Sequence, residues 1–307
     1  MSRPQILTAL KIIGGVSVLA VIVGRVGTGP FLAGVRAVDA GAVVAAVALG
    51  VVTTTAAAWR WSLVACALGV PVPLGSAVPA YYRAQFLNTV LPGGVLGDVE
   101  RGVRQGRDAG AVGRSLRAVA WERSIGQTVQ VLVTVAAVLV LPSPSAVTAP
   151  ILTVIMVGAA VGVVVTGRLR VVRTDLRGLR AGRVAGRLLL ASLVVVTGHV
   201  ATYLIAARAV GVTASVPQLV PLALVALVAM AVPLNLGGWG PREGVAAWSF
   251  AAVGLGAAPG VATATAYGVL VLAAGLPGAV VLAVGALRRG RTRAPVAATV
   301  PVGADRG

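Results

Sequence analysis

Residues 42–58 contain no charged side chain, and the same holds for 127–141, 150–166, 188–207, 216–236 and 261–287. Residues 6–23 are apolar apart from Lys11. Each run approaches the ~20 residues that a helix needs to cross ~30 Å of hydrocarbon. Backbone N–H and C=O groups in lipid must be satisfied within the segment, so these runs read as helices despite their valine content. The expectation is an all-α fold, a polytopic membrane helix bundle.

The rest of the composition excludes a water-facing shell. Charged residues make up 11% of the chain and hydrophobic residues 58%, against roughly 25% charged in an ordinary soluble domain. The net charge is +18 and nearly all of it is arginine. Nucleic acid is not the expected partner, because no basic groove with interleaved aromatics is visible. The arginines instead mark a membrane side. Residues 167–187 hold seven arginines and one acid, Asp175; residues 101–123 hold six more; and Arg288, Arg289, Arg291 and Arg293 follow the last apolar run. Residues 142–149 carry no charge. Cationic loops face the cytoplasm, which puts both termini inside a plasma (inner) membrane. The first run has no small-x-small cleavage site and is expected to remain as a span.

Counting crossings on that basis gives about eight spans, with 25–39 outside. Trp59-Arg60-Trp61 reads as an interfacial cluster with a snorkelling guanidinium. Arg173, Arg177, Arg180 and Arg187 would share one side of a surface helix able to meet anionic membrane lipids. Residues 1–287 form the membrane domain, and 288–307 a basic cytoplasmic tail without structure of its own.

Two apolar segments are interrupted, and the interruptions carry the chemistry. The first reads YYRAQFLNTVLPGGVLGDVER from Tyr81, with Pro92, Gly93, Gly94 and Gly97 ahead of Asp98 and Arg101. The second reads VPLNLGGWGPREG from Val232, with Pro233, Gly237, Gly238 and Gly240 ahead of Arg242 and Glu243. Proline removes a donor and glycine frees the backbone, so a continuous helix fails at both. Broken or re-entrant helices at membrane depth line a cavity or are buried in protein. Charges beside them need partners, and Asp98 with Arg101, Glu122 with Arg101 or Arg123, and Glu243 with Arg242 are the candidate pairs. Paired Gly/Pro interruptions in two halves of a chain point to a transport site. The arginine count places both interruptions on the cytoplasmic side.

Asn88-x3-Pro92, Gly97-Asp98-x2-Arg101, Glu122-Arg123 opening a long span, and Pro233 followed by Gly237-Gly238-x-Gly240-x-Arg242-Glu243 resemble the lysylphosphatidylglycerol synthase transmembrane family. This is the flippase-like membrane domain of the multiple peptide resistance factor, also found as stand-alone proteins. The resemblance covers roughly residues 5–287. It implies a bundle with interrupted helices that moves aminoacylated or other phospholipids between leaflets. The twenty residues after 287 are too few for the soluble synthase domain of the two-part members, so synthase activity is not expected. Members usually carry an arginine in the last span after the second motif. Here that region has Tyr267 and no arginine.

A lipid flippase-like protein is thus the leading expectation. Asn88, Asp98, Arg101, Glu122, Arg123, Arg242 and Glu243 are its substrate-binding candidates: acids for a cationic group, arginines for phosphate. The alternatives are a scaffold for an envelope-synthesis enzyme and, less favoured, an intramembrane lipid-modifying enzyme. One cysteine, Cys66, and one histidine, His199, give no metal-ligand cluster. His199 reads as a packed, hydrogen-bonded neutral side chain. With no G-x-x-x-x-G-K-[ST] loop, neither a nucleotide nor any other cofactor is expected.

Overall fold

The computed structural model describes residues 20–91, 94–141, 182–230 and 239–292, together with residues 17, 175 and 179. The fold is all-α. After a helical stretch at 20–26 come α1 (Gly29–Arg36), α2 (Ala40–Ala67), α3 (Leu74–Val90), α4 (Leu96–Asp108) and α5 (Val112–Val140). Then follow α6 (Gly182–Ala209), α7 (Val216–Ala229), α8 (Pro241–Ala252) and α9 (Ala257–Thr292). Pro92, Gly93, Pro233, Gly237 and Gly238 lie outside the described residues, as do most of the run 6–23, the loop 142–149, the run 150–166, most of the seven-arginine segment and the tail beyond 292.

Among the described residues, α2, α5, α6 and α9 are long and apolar enough to cross a membrane. Their outward faces carry bare aliphatic side chains, including Val44, Val52, Leu132, Leu139, Leu190 and Val280. Exposed apolar surface on this scale has no place in water. Contacts between the long helices run through small residues, which let backbones approach where lipid supplies no hydrophobic drive between helices. A Cβ on Gly198 of α6 would lie 2.2 Å from Thr53 Cγ2 of α2, and one on Gly50 would lie 2.7 Å from Ala274 Cβ of α9.

These contacts also fix direction. Thr53 faces Gly198 and Arg60 faces Ser192, so α2 and α6 are antiparallel. Gly50 of α2 faces Ala274 of α9, and Ala42 and Ala46, earlier in α2, share a core cluster with Tyr267 and Leu270, earlier in α9, so α9 runs parallel to α2. The bundle therefore has one end where α2 and α9 finish and α6 begins. Arg104, Arg107, Arg114, Arg117, Arg183, Arg187 and Arg288 cluster there. The opposite end holds Arg25, Arg36 and Arg208. Asp39 caps α2 at that second end, its Oδ1 accepting from Ala42 N at 2.7 Å.

Four of the shorter helices, α3 with α4 and α7 with α8, form two re-entrant hairpins. α3 and α4 are about 25 and 20 Å long at 1.5 Å per residue, too short for a ~30 Å core. Going inward along α3, Ala77 packs with Val64 and Ala65, and Gln85 accepts from Thr54 Oγ1 at 3.1 Å. α3 ends at Val90 near the middle of α2, and α4 starts back from Leu96. Coming back, Arg101 lies against Trp61, and Gln105 donates to Pro71 O at 3.4 Å. This hairpin enters and leaves at the arginine-rich end.

The second hairpin does the reverse. α7 and α8 are about 21 and 18 Å long. Leu219 and Leu222 pack with Ala206 and Ala207 near the finish of α6. Leu227 and Met230 reach the level of Val196 and His199. α8 then returns antiparallel to α9, Arg242 against Gly268 and Ala246 against Gly260. Counting arginines places both interruptions at the arginine-rich end, and the structure corrects the second. The run 216–236 is not one crossing, because α7 stops at Ala229 and α8 leads back to the end from which α7 came. The hairpins thus enter from opposite ends, the inverted arrangement.

Candidate functional site

At the first elbow, Gly94 has φ +61°, a conformation that costs a glycine nothing. Gly97 is needed for a different reason: a Cβ there would lie 2.0 Å from Ala84 O, so only hydrogen lets α4 pack against α3. Asn88 pins the turn, its Oδ1 accepting from Gly97 N at 2.8 Å and its Nδ2 donating to Asp98 Oδ2 at 2.9 Å.

Asp98 and Arg101 sit one turn apart on the inner face of α4, and Arg101 Nε donates to Asp98 Oδ1 at 3.0 Å. Arg101 Nη2 reaches Glu122 Oε2 at 2.6 Å. Its guanidinium lies between two rings, 4.6 Å from the centroid of Trp61 and 4.5 Å from that of Tyr81, a favourable setting for a desolvated cation. Glu122 Oε1 accepts from Arg60 Nε at 3.0 Å, Arg60 Nη2 at 2.5 Å and Tyr81 Oη at 3.2 Å. Arg123 Nη2 donates to Asp98 Oδ2. Arg60 Nη1 donates to Ser192 Oγ on α6 at 3.1 Å. The cluster joins α2, α3, α4, α5 and α6, and it sets three guanidiniums against two carboxylates.

The second elbow repeats this chemistry. Gly240 has φ +111° and opens α8, with Pro241 in the first turn. Glu243, the third residue of α8, reaches back to accept from Gly240 N at 2.6 Å. Its other oxygen accepts from Arg242 Nε at 2.9 Å and from Nη2. Arg242 also lies between two rings, 5.1 Å from Trp239 and 5.2 Å from Tyr267. Each elbow thus carries an arginine bound to a glutamate and flanked by a tyrosine and a tryptophan.

Between the first elbow and the end of α7 lies a cavity of about 240 Å³. Asn88, Gly94 and Asp98 line it from the first elbow, Arg60 from α2, Arg123 from α5, His199 from α6, and Tyr267 from α9. Tyr267 Oη and His199 Nδ1 are 2.9 Å apart, so His199 is the packed, hydrogen-bonded residue expected of it. Of the substrate-binding candidates, Asn88, Asp98 and Arg123 face the cavity. Arg101 and Glu122 brace its wall, while Arg242 and Glu243 stand behind Tyr267.

Arg60 corrects the reading of Trp59-Arg60-Trp61. Its guanidinium does not snorkel to the interface; the residue is 5% exposed and paired with Glu122. A signal was present, since Arg60 is seven residues from the end of α2, about 10 Å deep. Tyr81, Tyr267, Gln127 and Gln130 were also missed as cavity-facing polar groups.

The family model of the lysylphosphatidylglycerol synthase TM region matches residues 6–278. The chain belongs to that family. No curated protein and no solved structure matches it. Membership in this lysylphosphatidylglycerol synthase TM family and the long apolar helices together make the chain a multi-pass membrane protein. Tyr267, on α9, packs on Arg242.

Proposed function

We propose that this family member is flippase-like: it carries the headgroup of a phospholipid or lipid-linked compound between the leaflets of the plasma membrane. The carrying observation is a cavity at middle depth with charged and polar groups, among them Asp98 and Arg123, on part of its wall, at the meeting point of two hairpins that enter from opposite ends. A headgroup crossing a bilayer has to exchange water for fixed polar groups near the midplane, and opposed half-helices around one site are the usual basis of alternating access. Arg60, Asp98 and Arg123 line the cavity and Arg101 and Glu122 are buried beside it, which favours transport over a scaffold. In this reading the arginine-rich end and both termini are cytoplasmic, and anionic lipids surround that end. The reading assigns the chain no synthase activity.

The test is lipid scrambling in proteoliposomes. Purified protein should let dithionite reach fluorescent phospholipid that starts in the inner leaflet, at a rate well above that of empty liposomes. Arg123→Ala should return the rate to background without changing the elution profile. Equal rates with and without the wild-type protein would end the proposal.

A further inference from the structure

The cavity's charge balance says which headgroup it suits; this inference deepens the transport reading and rests on it. The whole chain has eight acids, so few could meet an ammonium group. Asp98 is held by Arg101, Arg123 and Asn88, and Glu122 by Arg60, Arg101 and Tyr81. Glu243 is closed by Arg242 and its own helix start. Glu100 pairs with Arg83, Asp175 with Arg117, and Asp39 caps α2. Among the described residues, no acid facing the cavity is left over for a cation.

Positive charge is in surplus. Arg60, Arg101 and Arg123 outnumber Asp98 and Glu122 by one; Arg60 and Arg123 both line the cavity, and the Arg123 side chain, 43% exposed, is the more open of the two. The rest of the polar lining carries no further acid or arginine and includes Gln85, Asn88, Thr89, Gln127 and Gln130. The buried Oε1 of Gln127 has no hydrogen-bond partner. A guanidinium fork suits a phosphodiester. Amides and hydroxyls suit sugar or glycerol hydroxyls, and an unmatched ammonium in such a place is costly.

We propose that the site takes an anionic phosphodiester lipid whose distal headgroup is an uncharged polyol, and discriminates against aminoacylated and other ammonium-bearing headgroups. Arg123 holds the phosphate, and the Gln127 amide accepts from a hydroxyl.

The test is competition for labelled phosphatidylglycerol bound to the detergent-purified protein. Unlabelled phosphatidylglycerol should displace it at least tenfold better than lysyl-phosphatidylglycerol or phosphatidylethanolamine, and inorganic phosphate should not displace it. Arg123→Gln should weaken binding about tenfold or more, and Arg123→Lys should recover part of the loss by restoring the charge. An ammonium-bearing lipid that competes as well as phosphatidylglycerol would overturn the headgroup assignment. So would displacement by inorganic phosphate alone, which would make the site a simple anion site. Scrambling of the same lipids in liposomes is read separately. Selective binding without scrambling would leave the headgroup class standing and remove the transport reading.

Discussion

Glu122 holds the first elbow together at the residue scale. It is fully buried, and its oxygens receive bonds from α2, α3 and α4. Removing one partner of a buried pair leaves an uncompensated charge and costs about 3–5 kcal/mol. The direction of the imbalance matters here. Glu122→Gln leaves three guanidiniums around one carboxylate, whereas Arg60→Met removes the surplus cation and mainly costs hydrogen bonds. Glu122→Gln should therefore lower the thermal unfolding midpoint in detergent more than Arg60→Met does. The double variant should lose less than the two singles together, because groups in one network do not contribute independently. Strictly additive shifts would show that the pair does not act as a unit. Two of the ion pairs were legible because their partners are close along the chain, Asp98 and Arg101 one turn apart and Arg242 and Glu243 adjacent; of the two partners the sequence offered Glu122, the structure pairs it with Arg101, while Arg123 goes to Asp98. Arg60 and Glu122 are separated by 62 positions, and no local pattern reports that contact. The same kind of separation hid Tyr267 and His199, 68 positions apart.

At the scale of elements, the helices themselves were legible because the apolar runs are long and proline and glycine punctuate them. What the runs could not show was that 216–236 stops short. Its hydropathy matches that of a full crossing, and the break depends on α8 folding back along α9. The α3–α4 hairpin rests on close backbone approach, so it is sensitive to one methyl group. Gly97→Val would drive a side chain into Ala84 O, separating the two helices and displacing Asp98 from Arg123. A loss of monodisperse protein or a markedly lower unfolding midpoint is expected, with scrambling gone in whatever folds. Gly113→Ala is the matched control. Nothing lies within 4 Å of a Cβ there, and alanine is favoured over glycine in a helix by up to about 1 kcal/mol. It should leave both readouts intact. A tolerated Gly97→Val would mean that the hairpin does not need this contact.

For the whole molecule, the central claim is that the hairpins enter from opposite ends, so that each elbow reaches the middle from its own side of the membrane. Charge asymmetry alone pointed to the same side for both, because it counts arginines and cannot see a hairpin that fails to cross. Three exposed positions near helix ends separate the alternatives: Ala109 between α4 and α5, Thr213 between α6 and α7, and Ala258 in the first turn of α9. Cys66 is exposed and is first replaced by serine, which leaves a cysteine-free background. Thr213→Cys and Ala258→Cys should then react with a membrane-impermeant maleimide in intact spheroplasts. On the proposed orientation, with the arginine-rich end toward the cytoplasm, Ala109→Cys should react only after the membrane is opened. Thr213 and Ala258 flank the second hairpin, so their labelling from one side shows that α7 and α8 make no net crossing between them. If Ala109→Cys and Thr213→Cys label from the same side, the hairpins share an end, and a cavity reached alternately from the two leaflets loses its structural basis.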